Sequence, residues 1–221
     1  HDLNNHLAGM RLSAGLLQNR ASELPPRCVT LVKNIVESSD RMLAFVEEFL
    51  ANQHAERLRV TPVPLNLGDI VTAIAAAHKA AAEVKEITLH AEIPDTVVTV
   101  LGDAEGLSQA LENLTSNAIK FTPEGGHVLV QVMPPTAGMA RCIIKDDGPG
   151  FPEADRSKMF RRYDRLSARP TGGEPSTGLG LSIVKRLLDA MGGHIELKEG
   201  TSSGAEFVIS LPIAETDTPD A

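Results

Sequence analysis

Hydrophobic residues recur at alternating three- and four-residue spacings along the first quarter of the chain. The pattern runs from residue 1 to about residue 20 and resumes, after Pro25-Pro26, from residue 27 to about residue 55. This period predicts two amphipathic helices, and the two prolines separate them. Helices this apolar are expected to form an antiparallel hairpin that dimerises into a four-helix bundle. The seam predicted for the first helix consists of Leu3, Leu7, Met10, Ala14 and Leu17.

The first predicted helix carries a second apolar stripe, formed by Ala8, Leu12 and Leu16. His1 and Asn5 lie at the head of this stripe and almost opposite the seam, because successive residues turn by about 100° around a helix. The stripe is expected either to dock another protein or to meet a neighbouring helix.

The remaining chain alternates between helical and strand patterns. Residues 1–56 form one predicted domain, 57–66 a Pro-rich linker, 67–213 a second domain and 214–221 a polar, frayed tail. Helices are predicted at 67–84, from 103 and at 178–191, and strands at 87–93, 97–101, 127–133, 140–145, 194–198 and 205–211. This mixture predicts an α+β chain whose second domain is a two-layer α/β sandwich, with helices on one face of a mixed sheet.

The helix predicted from residue 103 carries a polar face beside its buried leucine stripe. Asn113, Asn117 and Lys120 recur at helical spacing and share this face. A carboxamide oxygen can ligate a hard cation such as Mg²⁺, and a lysine can neutralise phosphate oxygens. Taken alone, the same pattern fits the polar edge of a surface helix equally well.

Two glycine clusters flank a long loop. Asp146-Asp147-Gly148-Pro149-Gly150 ends a predicted strand, and residues 176–180 open a helix. Glycines let the backbone approach a flat ligand, a buried carboxylate accepts a hydrogen bond from an amino group, and N–H groups at a helix start bind anions. Each cluster alone is compatible with an ordinary turn, and neither fits a P-loop.

In this order, these motifs resemble the ATP-binding domain of sensor histidine kinases, within the gyrase, Hsp90, histidine kinase and MutL superfamily. The resemblance covers essentially the whole chain. It consists of an N-box at residues 113–120, a G1 box at 146–150, an F-box at 159–163 and a G2 box at 177–181. The helical hairpin is similar to the family's dimerisation and phosphoacceptor domain, and residues 1–5 fit its H-box.

The resemblance implies an ATP-dependent protein-histidine kinase that phosphorylates His1 and passes the phosphoryl group to an aspartate of a response regulator. Asp2 would orient the His1 ring and accept its other N–H proton. Asn5 would position a water for hydrolysis of the regulator's phospho-aspartate, which adds a phosphatase activity. The implied partners are a second copy of the chain and the receiver domain of the regulator.

The resemblance also implies the nucleotide contacts. Asp146 would bind the adenine amino group, and Asn117, with Asn113, would ligate Mg²⁺. The other ATP-binding residues it implies are Lys120, Gly148, Gly150, Phe160, Thr177, Gly178, Leu179 and Gly180.

Two features of the sequence differ from other members of the superfamily or the family. Hydrolytic members of the superfamily carry Glu where Asn113 stands, and an amide cannot take a proton from water, which favours transfer to His1 over free ATP hydrolysis. The loop between Gly150 and Gly178 also lacks the acid and the second Phe of the commoner F-box.

Composition narrows the function further. The 221 residues are 42% hydrophobic with a net charge of −8, which supplies a core but no basic footprint for nucleic acid. Cys28 and Cys142 are expected to be buried, reduced residues, and the histidines lack zinc-ligand spacing. No apolar run is long enough to span a membrane, so a cytoplasmic location is expected. Because the chain begins at His1, it is expected to be a fragment whose parent could carry an upstream anchor.

Three other classes stay open on sequence alone. A simple ATPase or clamp of the superfamily is disfavoured by the His1 pentad and by Asn113. A protein-serine kinase would share the ATP motifs but lack the hairpin. A scaffold, or a protein acting mainly as a phosphatase, would keep the bundle and lose nucleotide contacts. ATP binding and the chemical lability of a protein phosphate separate these classes.

Overall fold

A computed structural model describes residues 2–57, 61–161, 166–172, 178–198 and 204–214. The chain begins with two helices, α1 (Asp2–Gln18) and α2 (Pro26–Arg57), joined by a short 3-10 turn at Ala21–Glu23. They pack side by side, and the ion pair between Arg11 and Asp40, at 2.6 Å, links them. The two predicted helices are therefore confirmed.

Only part of the predicted seam is buried between these two helices. Leu7 and Ala14 are each 4% exposed, and Val32 of α2 is 6% exposed. Met10 and Leu17, which belong to the same seam, are exposed at 55% and 48%. Of the four seam residues of α1 whose side chains the structure describes, two are thus uncovered within one copy of the chain.

The rest of the described chain is a sheet covered by helices. Five strands form one mixed sheet, in which the first pair is parallel and the other neighbours are antiparallel. Two further strands form a small antiparallel sheet. In chain order the elements are β1 (Val63–Asn66), α3 (Leu67–Val84), β2 (Thr88–Glu92), β3 (Thr99–Gly102), α4 (Ala104–Phe121), β4 (His127–Thr136), β5 (Met139–Asp146), α5 (Glu153–Arg156), α6 (Gly180–Ala190), β6 (His194–Leu197) and β7 (Glu206–Pro212), and the large sheet has the order β2-β4-β5-β7-β6.

The predicted linker at 57–66 contains a strand. Residues Val63–Asn66 form β1, which pairs with β3 in the register Val63↔Gly102 to Asn66↔Thr99. Pro64 has no N–H to donate, and it is tolerated because β1 is an edge strand of a two-stranded sheet. A strand within this predicted linker was not expected from the sequence. The short helix α5 in the long loop was not predicted either.

Side-chain caps determine where the two long helices of the sheet layer begin. The Asp103 carboxylate accepts a hydrogen bond from the Gly106 N–H at 2.9 Å, and the Asn66 amide oxygen accepts one from the Gly68 N–H at 3.0 Å. Each such cap stabilises a helix by about 1 kcal/mol. By fixing the first turn of α4, the Asp103 cap also fixes which of its residues face the core and which face outward.

The core lies between α4 and one face of the large sheet. Leu107, Leu111 and Leu114 are at most 1% exposed, as are Cys142 and Ile144 on β5. Each fully buried leucine contributes roughly 1.5–3 kcal/mol. Residues along β5 alternate between buried and more exposed, as expected for a sheet with helices on one face. The α+β class with a mixed sheet is confirmed. Of the helices described, not one is long and apolar enough to cross a membrane.

One polar group inside this core lacks a partner. The Thr115 side chain on α4 is fully buried, and its hydroxyl has no hydrogen-bond partner among the residues that the structure describes. Thr115→Val is expected to raise the free energy of unfolding by about 1 kcal/mol, because the variant keeps the shape and removes an unpaired hydroxyl. Chemical denaturation measures this change.

Thr122 is the matched control for this substitution. It is equally buried, but its hydroxyl donates to the Ala118 carbonyl at 2.7 Å. Thr122→Val is therefore expected to lower the free energy of unfolding by about 1 kcal/mol. If both variants shift stability in the same direction, the difference in hydrogen bonding does not govern these two sites.

Candidate nucleotide site between helix α4 and the glycine turns

A cleft opens between the second half of α4, the end of β5 and the start of α6. It encloses about 960 Å³ of empty space, part of which is open to solvent. Its lining is mostly apolar, with a carboxylate, an amide and an ammonium group at separate points. The lining residues are Leu114, Asn117, Ala118, Lys120, Phe121, Ile144, Asp146, Pro149, Gly150, Phe151, Met159, Leu166, Ala168, Gly178, Gly180, Leu181, Ala205 and Phe207.

Asp146 is the buried acid of the cleft and the last residue of β5. It is 7% exposed, and its Oδ1 atom accepts hydrogen bonds from the N–H groups of Gly148 at 2.8 Å and Ala205 at 3.2 Å. Burial raises the pKa of Asp146, the two hydrogen bonds oppose this shift, and the neighbouring charge of Asp147 adds to it. Among the described residues, both hydrogen bonds to the carboxylate end on Oδ1, so Oδ2 can accept one from a ligand.

Two glycines hold the turn after β5 against the start of β7. Gly150 and Gly204 have φ angles of +68° and +80°. A Cβ atom on Gly150 would lie 2.6 Å from the Gly204 carbonyl oxygen, and a Cβ on Gly204 would lie 1.7 Å from the Asp146 carbonyl oxygen. Real Cβ atoms essentially never approach other atoms this closely. The two backbone segments therefore meet at a distance that only glycine permits.

The polar face of α4 contributes two of its three predicted residues. Asn117 and Lys120 line the cleft. Asn113 lies one turn earlier on the same helix, is half-buried, and is outside the cleft lining. The structure thus brings Asn117, Lys120 and Asp146 around one cavity, although Asp146 is distant from the other two in sequence.

Other residues singled out in the sequence have mixed positions. Gly178 and Gly180 line the cleft at the start of α6, whereas the Leu179 side chain between them is fully buried in the core. Phe160 is partly buried against the core, and Gly148 bonds to Asp146 without lining the cleft.

The structure does not describe the side chains of four predicted site residues. His1 and Thr177 are outside the described residues. Asp2 and Asn5 belong to helix α1, but their side chains are also outside what the structure describes.

Sequence reasoning missed part of the wall. Ala205 holds Asp146 through its N–H, and Phe207 packs edge-to-face on Phe151 with a centroid distance of 5.5 Å. Leu166 and Ala168, from the middle of the long loop, also line the cleft. The sequence feature that could have indicated Ala205 is a glycine followed by a small residue just before a strand. Nothing in the sequence marks Leu166 or Ala168 as lining residues.

The fold and the cleft define an ATPase-type α/β sandwich, with an Asn/Lys helix face and a buried acid between glycine turns. The sequence profile described as histidine kinase-, DNA gyrase B- and HSP90-like ATPase matches residues 102–215, just over half of the chain. The chain belongs to this family, which confirms the resemblance seen in its motifs.

Individual proteins similar to this chain include sensor histidine kinases. The chain is 34% identical over 226 residues to the sensor histidine kinase GacS of Pseudomonas protegens, covering 98% of this chain and 24% of GacS. It is 28% identical over 222 residues to the histidine-protein kinase/phosphatase MprB of Mycobacterium avium, covering 96% and 41%. Full-length ShkA in complex with AMPPNP superposes with a TM-score of 0.70 and 30% identity, covering 97% of this chain and 44% of ShkA. The chain thus spans about a quarter of GacS.

Proposed function

We propose that this chain is the catalytic part of an ATP-dependent protein-histidine kinase of a two-component system. The observation that carries the proposal is the cleft that gathers Asn117, Lys120 and Asp146 in a member of this ATPase family. The relatives named as sensor histidine kinases and the AMPPNP complex of ShkA support the same activity.

The chemistry of the lining fits ATP. Ile144, Phe151 and Phe207 offer apolar surface to a flat base. The second oxygen of Asp146 is available to accept a hydrogen bond from the adenine amino group. This acid is only 7% exposed, and its burial raises its pKa. Gly178 and Gly180 can present backbone N–H groups to phosphates at the start of α6.

Side chains of α4 would neutralise the negative charge of the phosphates. Lys120 faces the cleft and would contact phosphate oxygens. The Asn117 amide oxygen, with that of Asn113, would hold Mg²⁺, whose ligands in proteins are oxygen atoms. A bound Mg²⁺ would supply neutralisation of phosphate charge, which is the main requirement of phosphoryl transfer.

His1 is the proposed acceptor. A ring nitrogen of His1 would attack the γ-phosphorus of ATP, the bond to the bridging oxygen would break, and ADP would leave. Asp2 would orient the ring and take its proton. The phosphoryl group would then pass to an aspartate of a response regulator. This step rests on the sequence of residues 1–5.

A phosphatase activity is a second proposed function. Asp2 and Asn5 form the acid-x-x-Asn pattern next to His1, and Asn5 would position a water against the regulator's phospho-aspartate. The similarity to MprB, which is named a kinase/phosphatase, supports this proposal.

The helical hairpin is the proposed dimerisation element, spanning residues 1–56, with 57–66 as linker and 67–213 as ATP-binding domain. Met10, Leu17, Ile35 and Met42 are at least 45% exposed although they follow the helical seam. A second copy would cover them in a four-helix bundle. Leu12 and Leu16, exposed at 67% and 61%, form the separate stripe proposed to dock the receiver domain of the regulator.

Labelling of the full-length protein with ATP carrying a tagged γ-phosphate tests the proposal. With Mg²⁺ present, we expect label that is labile in acid, stable in alkali, and absent from both His1→Gln and Asn117→Ala. His6→Gln is the matched control and is expected to keep the label, because His6 points to a different side of the helix from His1.

Each other result has a definite meaning. Label that survives His1→Gln moves the acceptor elsewhere or makes the protein a serine-type kinase. ATP binding without label, abolished by Asn117→Ala, indicates a member that acts mainly as a phosphatase. An absence of ATP binding by the wild type overturns the catalytic assignment.

A further inference from the structure

A short segment of the long loop, residues 166–172, forms part of the cleft wall, and we call it the strap. Leu166 and Ala168 of the strap line the cleft. None of the glycine-rich motifs includes these residues. Two groups of hydrogen bonds hold the strap, one near each end, and the side chains that anchor them, Asp155 and Lys85, do not line the cleft.

The first tether is a carboxylate. Asp155, in α5, accepts hydrogen bonds on Oδ2 from the Ser167 N–H at 2.8 Å and from the Ser167 hydroxyl. These hydrogen bonds lower the pKa of Asp155, which keeps the carboxylate charged and able to accept both. The tether links the start of the strap to the segment that follows the glycine turn.

The second tether is an ammonium group. Lys85, the C-cap residue that follows α3, donates from Nζ to the Thr171 hydroxyl oxygen at 2.8 Å. It also donates to the carbonyl oxygens of Ile119 at 2.8 Å and Lys120 at 3.0 Å. An ammonium group carries three N–H donors, so one lysine can hold several acceptors at once. Lys85 thus joins three parts of the chain that are far apart in sequence.

Thr171 adds its own hydrogen bonds to the same place. Its N–H donates to the Lys120 carbonyl at 3.0 Å. Its hydroxyl lies 2.8 Å from the Thr122 carbonyl oxygen and 3.1 Å from that of Lys120. A hydroxyl carries one proton, so it donates to one of these carbonyls while its oxygen accepts from Lys85.

The second tether lies at the C-terminal end of α4, where it also stabilises that helix. Carbonyl groups in the last turn of a helix have no partner within the helix, and a cation there interacts favourably with the helix dipole. Lys85 satisfies two such carbonyls at the end of α4, beside the Lys120 side chain that faces the cleft. One ammonium group therefore holds both the end of α4 and the strap.

We propose that Lys85 is a positioning residue for the nucleotide, which seats the strap against the end of α4 so that Leu166 and Ala168 stand as a wall of the cleft. The inference rests on the proposed nucleotide site. Lys85 does not line the cleft and acts through Thr171 and the α4 carbonyls. A wall set before the ligand arrives lowers the ordering cost of binding, so Lys85 acts on KM rather than on kcat.

The test compares Lys85→Met with Lys79→Met in the full-length protein. Lys79 is an exposed lysine on the same helix α3 and is the matched control. For Lys85→Met, we expect KM for ATP in autophosphorylation to rise about tenfold while kcat changes less than about twofold. Lys79→Met is expected to leave both constants unchanged, and Lys85→Arg to restore much of the affinity.

Amide hydrogen exchange without nucleotide provides a readout that does not depend on ATP binding. Lys85→Met is expected to speed exchange in the strap and to leave β5 and β7 protected. Faster exchange in the strap together with a wild type that binds no ATP would support the tether and overturn the proposed function alone. Unchanged strap exchange, exchange that rises equally in β5, or a loss confined to kcat would overturn the role of Lys85.

Discussion

Replacing Gly204 with alanine is expected to abolish ATP binding and to lower the free energy of unfolding by about 3 kcal/mol or more. The added Cβ would lie 1.7 Å from the Asp146 carbonyl oxygen, and the φ angle of +80° is itself unfavourable for alanine. The left-handed conformation costs about 1–2 kcal/mol and forced overpacking adds about 1–3 kcal/mol. To relieve the contact, β5 and β7 must separate where Asp146 and Ala205 pair.

Gly192→Ala is the matched control for this prediction. Gly192 has a φ angle of +70°, but, apart from its two chain neighbours, no atom of the described residues lies within 4 Å of the Cβ that alanine would add. The Gly192→Ala variant is expected to lose only about 1–2 kcal/mol of its free energy of unfolding, because alanine disfavours the left-handed conformation. Its affinity for ATP is expected to be unchanged. Denaturant unfolding and titration with a fluorescent ATP analogue measure both effects. Equal losses in the two variants would show that the approach to Asp146 is not the cause.

Asp146→Asn is expected to weaken ATP binding about 100-fold while changing the free energy of unfolding by less than about 1 kcal/mol. The asparagine oxygen can still accept from the N–H groups of Gly148 and Ala205. Its NH₂ group, however, would face the adenine amino group, so that two donors meet where a donor met an acceptor. Stability is retained because burial, which raises the pKa of Asp146, already disfavours the charged form.

Two measurements make this prediction specific. Asp147→Asn changes the adjacent acid, whose carboxylate is bonded to the His127 N–H and imidazole at 2.9 Å, and should leave ATP affinity unchanged. A purine triphosphate with an oxygen in place of the amino group should bind Asp146→Asn better than it binds the wild type, since its oxygen can accept from the asparagine NH₂. If the variant weakens the binding of both nucleotides equally, Asp146 does not hydrogen-bond to the adenine amino group.

Much of the site was predictable wherever its residues follow a local period. The leucine stripe of α4 sets the helix, Asp103 caps it, and the same period places Asn117 and Lys120 on one side. β1 was missed because its pairing partner, β3, begins more than thirty residues later and Pro64 argued against a strand. Local patterns report the period of one segment and not the identity of its neighbour.

The wall and the tethers depend on contacts that a local pattern does not encode. Lys85 and Thr171 are 86 residues apart, and Ala205 acts through its backbone N–H, which every residue but proline possesses. Lys85 directly follows a helix, where a lysine side chain ordinarily points to solvent. The family resemblance implies which residues contact a nucleotide, whereas the contacts that hold these residues in place are seen only in the packing of the structure.

The contrast between the two cysteines has a practical consequence for spectroscopy. Cys142 is buried in β5, where desolvation raises the pKa of its thiol to about 12 and makes it a poor nucleophile. Cys28 lies in α2 and is partly exposed, in contrast to the burial expected from sequence. Of these two cysteines, a maleimide or spin label should therefore attach only at Cys28, which is on the helical hairpin and is not a lining residue of the cleft. Distances between such labels on two copies would report the arrangement of the hairpins without any engineered cysteine.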